Sequence, residues 1–145
     1  MSITGVRPQT LIAVRDVKAS SSWYRRLLGV KSSGDPDHPH RMFYDRLMSG
    51  DALILQLHRW DDENHPNLVD REKAPPGHGV LLWFELDDFD AAVQRARDLR
   101  AEVVLEPHVN PAPSHREMWI KDADGYVVVI ASPDGEAQSS GAETR

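Results

Sequence analysis

The feature that most constrains this chain is that it states one plan twice. Thr10–Val14 (TLIAV) is a short apolar run with strand character. Asp16 offers a side-chain oxygen to a helix start, Val17, Ser21, Tyr24 and Leu28 recur at helical spacing, and Gly29 follows as a stop. A Gly-Asp-Pro loop over 34–40 leads to a strand near Arg41–Leu47, a turn at Ser49-Gly50-Asp51 and a strand over Ala52–His58. After a polar, Pro-rich stretch the plan returns. Val80–Leu86 (VLLWFEL) is a strand, and Asp88 opens a helix whose apolar face is Phe89, Ala92, Val93, Ala96 and Leu99. Strands follow over Glu102–Glu106, where Pro107 ends the run, over Arg116–Lys121 and over Tyr126–Ala131, the last two joined by a tight turn at Asp122–Gly125. Asp16 and Asp88 stand 72 residues apart, and Gly50 and Gly125 stand 75 apart. An offset so nearly constant marks a duplicated module and is far too long for a solenoid of short repeats.

With 145 residues the chain fits a single domain, 1–145. It divides into a first module of about 8–60, a linker 61–77, a second module of about 78–132 and a flexible tail 133–145. There is no Cys, which removes disulfides and thiolate chemistry. No apolar run approaches the roughly 18 residues of a membrane span, and Met1 to Pro8 lacks the regions of a signal peptide, so the expected location is the cytoplasm. The net charge of −6 comes without a basic stripe, so nucleic acid is not an expected partner.

Strand alternation sorts the side chains into two faces. On Val80–Leu86 the set Val80, Leu82, Phe84 and Leu86 is wholly apolar and belongs under a helix. The opposite set is Leu81, Trp83 and Glu85, and an aromatic beside a carboxylate suits a partly wet ligand cavity better than a dry core. By the same reasoning Leu53, Leu55 and Leu57 pack, while Ile54, Gln56 and His58 face the cavity. Ile12 and Val14 pack, with Gln9, Leu11 and Ala13 on the cavity side. Glu117, Trp119 and Lys121 share a face, which makes Trp119 a second aromatic candidate. Trp60 is a third.

Three segments carry a resemblance. RDVKASSSWYRRLLGV, with its Asp-capped helix, central aromatic pair and terminal Leu-Gly, is similar to the first-module signature of the vicinal-oxygen-chelate superfamily, which contains glyoxalases, bleomycin-resistance proteins and dioxygenases. FELDDFDAAVQRARDLRAEVV resembles the start of its second module. REMWIKDADGYVVVI resembles its closing hairpin, with Ala123 where a Pro often sits. The likeness covers about residues 8 to 132. It implies an α+β fold of two βαβββ modules, forming curved mixed β-sheets around a cavity, with helices on the convex side. It also implies pairing of modules edge to edge, and hence a homodimer.

In metal-using relatives the ligands come from the first and last strands of each module. Here the resemblance maps those positions onto Gln9, Gln56, Leu81 and Val129. Two are aliphatic and two are neutral amides, a poor set for a divalent cation. His78 falls on the opposite face from Leu81, and His58 lies one step beyond Gln56, so no single shift restores three ligands. His38 and His40 (DHPH) read as a solvated loop pair, and DADG at Asp122 reads as a β-turn. Phosphate loops and nucleophile elbows are missing from the sequence. The expected function is therefore a metal-free small-molecule-binding protein resembling the bleomycin-resistance branch, with no cofactor. Its ligand is planar or cationic, and the contacts are Gln9, Gln56, His58, Trp83, Glu85 and Trp119. The alternative is a glyoxalase- or lyase-like enzyme using a divalent metal, or Glu85 or His58 as a base.

Overall fold

The two aspartates cap their helices in the computed structural model. The Asp16 carboxylate accepts from the Ala19 N–H at 3.0 Å and starts α1, Val17–Leu28. The Asp88 carboxylate accepts from the Ala91 N–H at 3.0 Å and starts α2, Phe89–Asp98. Gly29 closes α1 in the left-handed conformation at φ 70°, and its N–H donates to the Arg25 carbonyl. The structure describes residues 7–60, 68, 76–78, 80–111 and 114–137. Most of the stretch 61–77 and the chain beyond 137 lie outside them.

Among the described residues, eight strands form two four-stranded mixed sheets. In the first, β1 (Leu11–Val14), β2 (Lys31–Ser32), β3 (Tyr44–Ser49) and β4 (Ala52–Arg59) take the order β1-β4-β3-β2. In the second, β5 (Leu81–Glu85), β6 (Glu102–Asn110), β7 (His115–Lys121) and β8 (Val127–Ala131) take the same order, β5-β8-β7-β6. The first strand of each set runs parallel to the last, and the other pairings are antiparallel. This is the βαβββ plan, stated twice. The chain forms two compact units, one around each sheet.

Each sheet has one face under a helix. In the first, Ile12, Leu47, Leu55 and Leu57 are buried, and Ser21 of α1 reaches Asp45 of β3 on the same side. In the second, Leu82, Met118, Ile120, Val128 and Ile130 are buried, and Phe89 of α2 lies under the Arg116 guanidinium at 4.8 Å. Strand parity thus assigns Trp83 to the face away from α2. Val80 departs from the expected pattern: it lies before β5 and is 49% exposed, because the strand begins one residue later than its apolar run.

Two further expectations fail. Pro107 does not end β6, which runs on to Asn110. The strand is the sheet edge, where a missing N–H costs little, and its register shifts between Leu105 and His108, on either side of the proline. The tail is also not loose from its start. The Arg116 guanidinium donates to Glu136 at 2.7 and 3.1 Å, the Ala137 N–H donates to the Ser114 carbonyl, and Ala137 is 5% exposed. A composition of small and polar residues concealed this anchored stretch.

Candidate functional site

On the first sheet, cross-strand partners place Leu11 beside Gln56, Ala13 beside His58, Tyr44 beside His58 and Arg46 beside Gln56, all on the face away from α1. Both polar atoms of the Gln56 side chain are hydrogen-bonded. Its Oε1 accepts the Tyr44 hydroxyl hydrogen, and its Nε2 donates to the Gln9 carbonyl at 2.9 Å. His58 turns its ring edge to Tyr44 with centroids 6.2 Å apart, and its Nδ1 lies 2.6 Å from the Arg59 carbonyl. Burial holds the Tyr44 phenol above its ordinary range, so it stays a hydrogen-bond donor.

The second sheet presents a more organised face. Its cross-strand rows run Leu81, Val127, Lys121, Glu102; then Trp83, Val129, Trp119, Leu105; then Glu85, Ala131, Glu117, His108; and finally His115 beside Asn110. The second row is wholly apolar. The third centres on Glu117, a carboxylate only 3% exposed. Its Oε1 accepts from the Trp119 indole N–H at 2.7 Å, and its Oε2 accepts from His115 Nε2 at 2.6 Å and from the Asn110 amide at 3.3 Å. His108 Nε2 stands 3.6 Å from Oε1. Burial alone pushes the Glu117 carboxyl up, but the bonds from Trp119, His115 and Asn110 outweigh it and hold the group below the usual carboxylate range, ionised at neutral pH. Trp83 closes the network: its ring meets His115 edge-on, with centroids 5.8 Å apart at 82°.

The six expected site residues fall into two sets of three. Gln9, Gln56 and His58 belong to the first sheet, and Trp83, Glu85 and Trp119 to the second. Trp83 is 45% exposed and Glu85 is exposed, while Trp119 is half-buried with its indole committed to Glu117. Trp60 is half-buried. His38 and His40 are exposed, not in a loop but at a short 3-10 helix, Pro39–Met42, which His38 caps by accepting the His40 N–H at Nδ1. The Asp122 carboxylate is taken up by the amides of Asp124 and Tyr126, as a turn requires.

Sequence reasoning missed the hub. Alternation put Glu117 on the right face but gave no partner for it. His108 and Asn110 were lost because Pro107 read as a strand end, and His115 fell just before the expected strand. Tyr44 carried a usable signal, since two antiparallel strands joined by a tight turn place it opposite His58.

Residues 7–130 match the family described as the Glyoxalase/Bleomycin resistance protein/Dioxygenase superfamily. The chain belongs to that superfamily. It is similar to Glyoxalase I of Saccharomyces cerevisiae, at 22% identity over 135 residues, which is 83% of this chain. The match spans 41% of the yeast protein. Among solved structures it resembles a glyoxalase/bleomycin resistance protein/dioxygenase family enzyme from Burkholderia phytofirmans PsJN, with a TM-score of 0.67 and 19% identity over 86% of this chain and 95% of that one. It also resembles a lactoylglutathione lyase from Agrobacterium tumefaciens, with a TM-score of 0.63 and 19% identity over 90% and 95% of the two chains. At these identities the structures establish the shared fold.

The superfamily's metal positions can be tested against this donor set. Leu81 and Val129 offer no donor atom, Val129 is fully buried, and Gln56 is a neutral amide already hydrogen-bonded to Tyr44 and to the Gln9 carbonyl. These four residues do not fit a divalent cation.

Proposed function

We propose that this superfamily member binds a small planar organic molecule on the open face of its second sheet, with Trp83 as the stacking surface. One observation carries the reading: Trp83 keeps 45% of its surface in water while its ring packs at 82° against buried His115. An exposed indole held in one orientation is a preorganised platform. Leu81 and Leu105, 44% and 43% exposed, extend the apolar surface on the same face. Trp119 and Glu85 border it, and Gln9, Gln56 and His58 are proposed separately, as polar contacts on the first sheet's own open face. Binding on this reading needs no metal, as in the bleomycin-resistance branch. Stacking on a tryptophan contributes about 1 to 2 kcal/mol. Trp83→Ala should therefore weaken fused-ring heteroaromatic probes by roughly 5- to 30-fold in a calorimetric titration. Equal affinity in the variant would end the reading.

A second reading, a lyase or isomerase of glyoxalase type, is favoured by the His108 geometry. Its Nδ1 lies 2.8 Å from the Glu106 carbonyl, which leaves Nε2 as the basic atom facing Glu117. Loss of turnover in His108→Gln, on any 2-oxoaldehyde adduct the protein converts, is its test. On either reading we expect a homodimer. The edge strand β6 exposes Val104, Leu105 and Val109, at 41%, 43% and 56%, which an edge-to-edge partner would cover. A monomer mass by light scattering at high micromolar concentration would contradict it.

A further inference from the structure

The open face of the second sheet is electrically lopsided. Its rows carry three carboxylates, Glu85, Glu102 and Glu117, against one ammonium, Lys121. Glu102 sits directly across from Lys121, so that pair cancels locally. What remains flanks the apolar row on one side only: exposed Glu85 and buried Glu117, two strands apart in the same row. The groups that hydrogen-bond or ion-pair with the Glu117 carboxylate are the imidazoles of His108 and His115, the Trp119 indole and the Asn110 amide, with no Arg or Lys among the described residues. Asp134, 70% exposed, lies 3.6 Å from the far nitrogen of His115. Asp134 thus adds a further carboxylate beside this network.

We infer that Glu117 is the charge-selecting residue of the Trp83 platform, and that the ligand is a planar organic cation, such as an aromatic quaternary ammonium or an amidinium. The inference rests on the binding reading above and deepens it. Glu117 does not touch the ligand. It acts through position: its network of His115, Trp83 and Trp119 holds the indoles, and its charge sits in a low-dielectric setting beside them. A charge shielded from water acts over a longer distance than an exposed one and is screened less by salt. Glu85 bears the same charge in water, so its contribution fades with ionic strength. The two carboxylates are thus separable by salt. The cation's attraction to the indole face adds to both.

The test uses two probes of nearly one shape, N-methylquinolinium and neutral 4-methylquinoline at pH 8, titrated calorimetrically into the full chain at low salt and in 0.5 M NaCl. The cation should bind on the order of tenfold more tightly. Most of that preference should survive salt. Glu117→Gln keeps an acceptor for the Trp119 indole and should bring the ratio of the two affinities to about one. Glu85→Gln should leave the salt-resistant part intact. The inference is overturned if the wild type treats both probes alike, if salt or Glu85→Gln erases the preference, or if Glu117→Gln weakens both probes equally, as a purely structural role demands. The wild-type salt series decides the matter even should Glu117→Gln not fold. Trp83→Ala keeps the two layers apart: if it leaves both affinities untouched, the platform itself is wrong, and if it weakens both while no charge preference exists, only the selectivity is.

Discussion

His115 Nε2 stands 2.6 Å from Glu117 Oε2, while the other nitrogen of the same ring faces Asp134 Oδ1 at 3.6 Å. The imidazole thus links a buried carboxylate to one in water. Glu117 has a folded value below its ordinary one, and so does Glu136, mainly through its bond to Arg116. A lowered carboxylate stabilises the fold above its unfolded pKa, about 4.3, and the contribution is lost as pH falls through the lower folded value. Stability should therefore be level near neutrality and fall below about pH 4.5. Urea melts from pH 7 to pH 3 should show a shallower acid limb for Glu117→Gln. An unchanged limb would mean that Glu117 is not the group titrating.

Glu117→Ala should cost far more than Glu117→Gln at neutral pH. It strands the indole N–H of Trp119 and the donors of His115 and Asn110 away from water. Removing one partner of such a network costs roughly 3 to 5 kcal/mol. Denaturant midpoints compare the two variants directly, and equal losses would show that the hydrogen bonds are not what holds this face together.

A second buried carboxylate organises the first unit. Asp45 is 1% exposed and accepts from the Ser21 hydroxyl at 2.6 Å, the Ser32 hydroxyl at 2.5 Å and the Arg46 N–H at 2.8 Å. Arg41 Nε approaches it at 3.5 Å. Ser21→Ala should cost about 1 kcal/mol and Asp45→Ala about 3. Because the two share one bond, the double variant should be less destabilised than the sum of the singles, by at least about 0.5 kcal/mol. Strict additivity would remove the Ser21–Asp45 bond from the account.

Much of the fold was legible because it is written in short-range chemistry. Asp16, Asp88 and Gly29 act within a few residues of themselves, and alternation on β4 and β5 is fixed by the pleat. The site was legible only in part. Trp83 could be assigned to a face from parity alone, but its partner His115 lies two strands away in the sheet, and no local pattern connects them. The Pro107 error shows the limit of local rules. A proline excludes a central strand, and only the sheet order reveals that β6 is an edge. The two-residue strand β2 was too short to carry any alternation.

Arg100 sits just past α2 with φ 54°, in the left-handed region, where the first module uses Gly29 at φ 70°. Any side chain with a Cβ is strained there by about 1 kcal/mol relative to glycine. Arg100 is exposed and its N–H donates to the Arg97 carbonyl at 3.0 Å, a bond that glycine keeps. Arg100→Gly should raise stability by about 0.5 to 1 kcal/mol despite glycine's greater freedom in the unfolded chain. A thermal midpoint lower than that of the wild type would show that the unfolded-state term wins.

Truncating the two tryptophans of the apolar row should cost unequal amounts of stability. Trp83 is 45% exposed and meets its neighbour His115 edge to face, so much of its surface has never left water. Trp83→Ala should cost only about 1 kcal/mol of stability while weakening planar ligands. Trp119 is half-buried and donates its indole hydrogen to Glu117 at 2.7 Å. Trp119→Ala removes packing and deprives a buried carboxylate of one of its donors, so it should cost about 3 kcal/mol. Trp119→Phe separates the two parts, since it restores most of the packing and none of the hydrogen bond. Its loss should fall between zero and that of the alanine variant, and it should make the acid limb shallower, because Glu117 then lacks a donor that lowers its folded value and that value moves up toward the unfolded one. Chemical melts of the three variants can be read before any ligand is in hand. A loss near 3 kcal/mol for Trp83→Ala would make it a packing residue, and the stacking platform would lose its support.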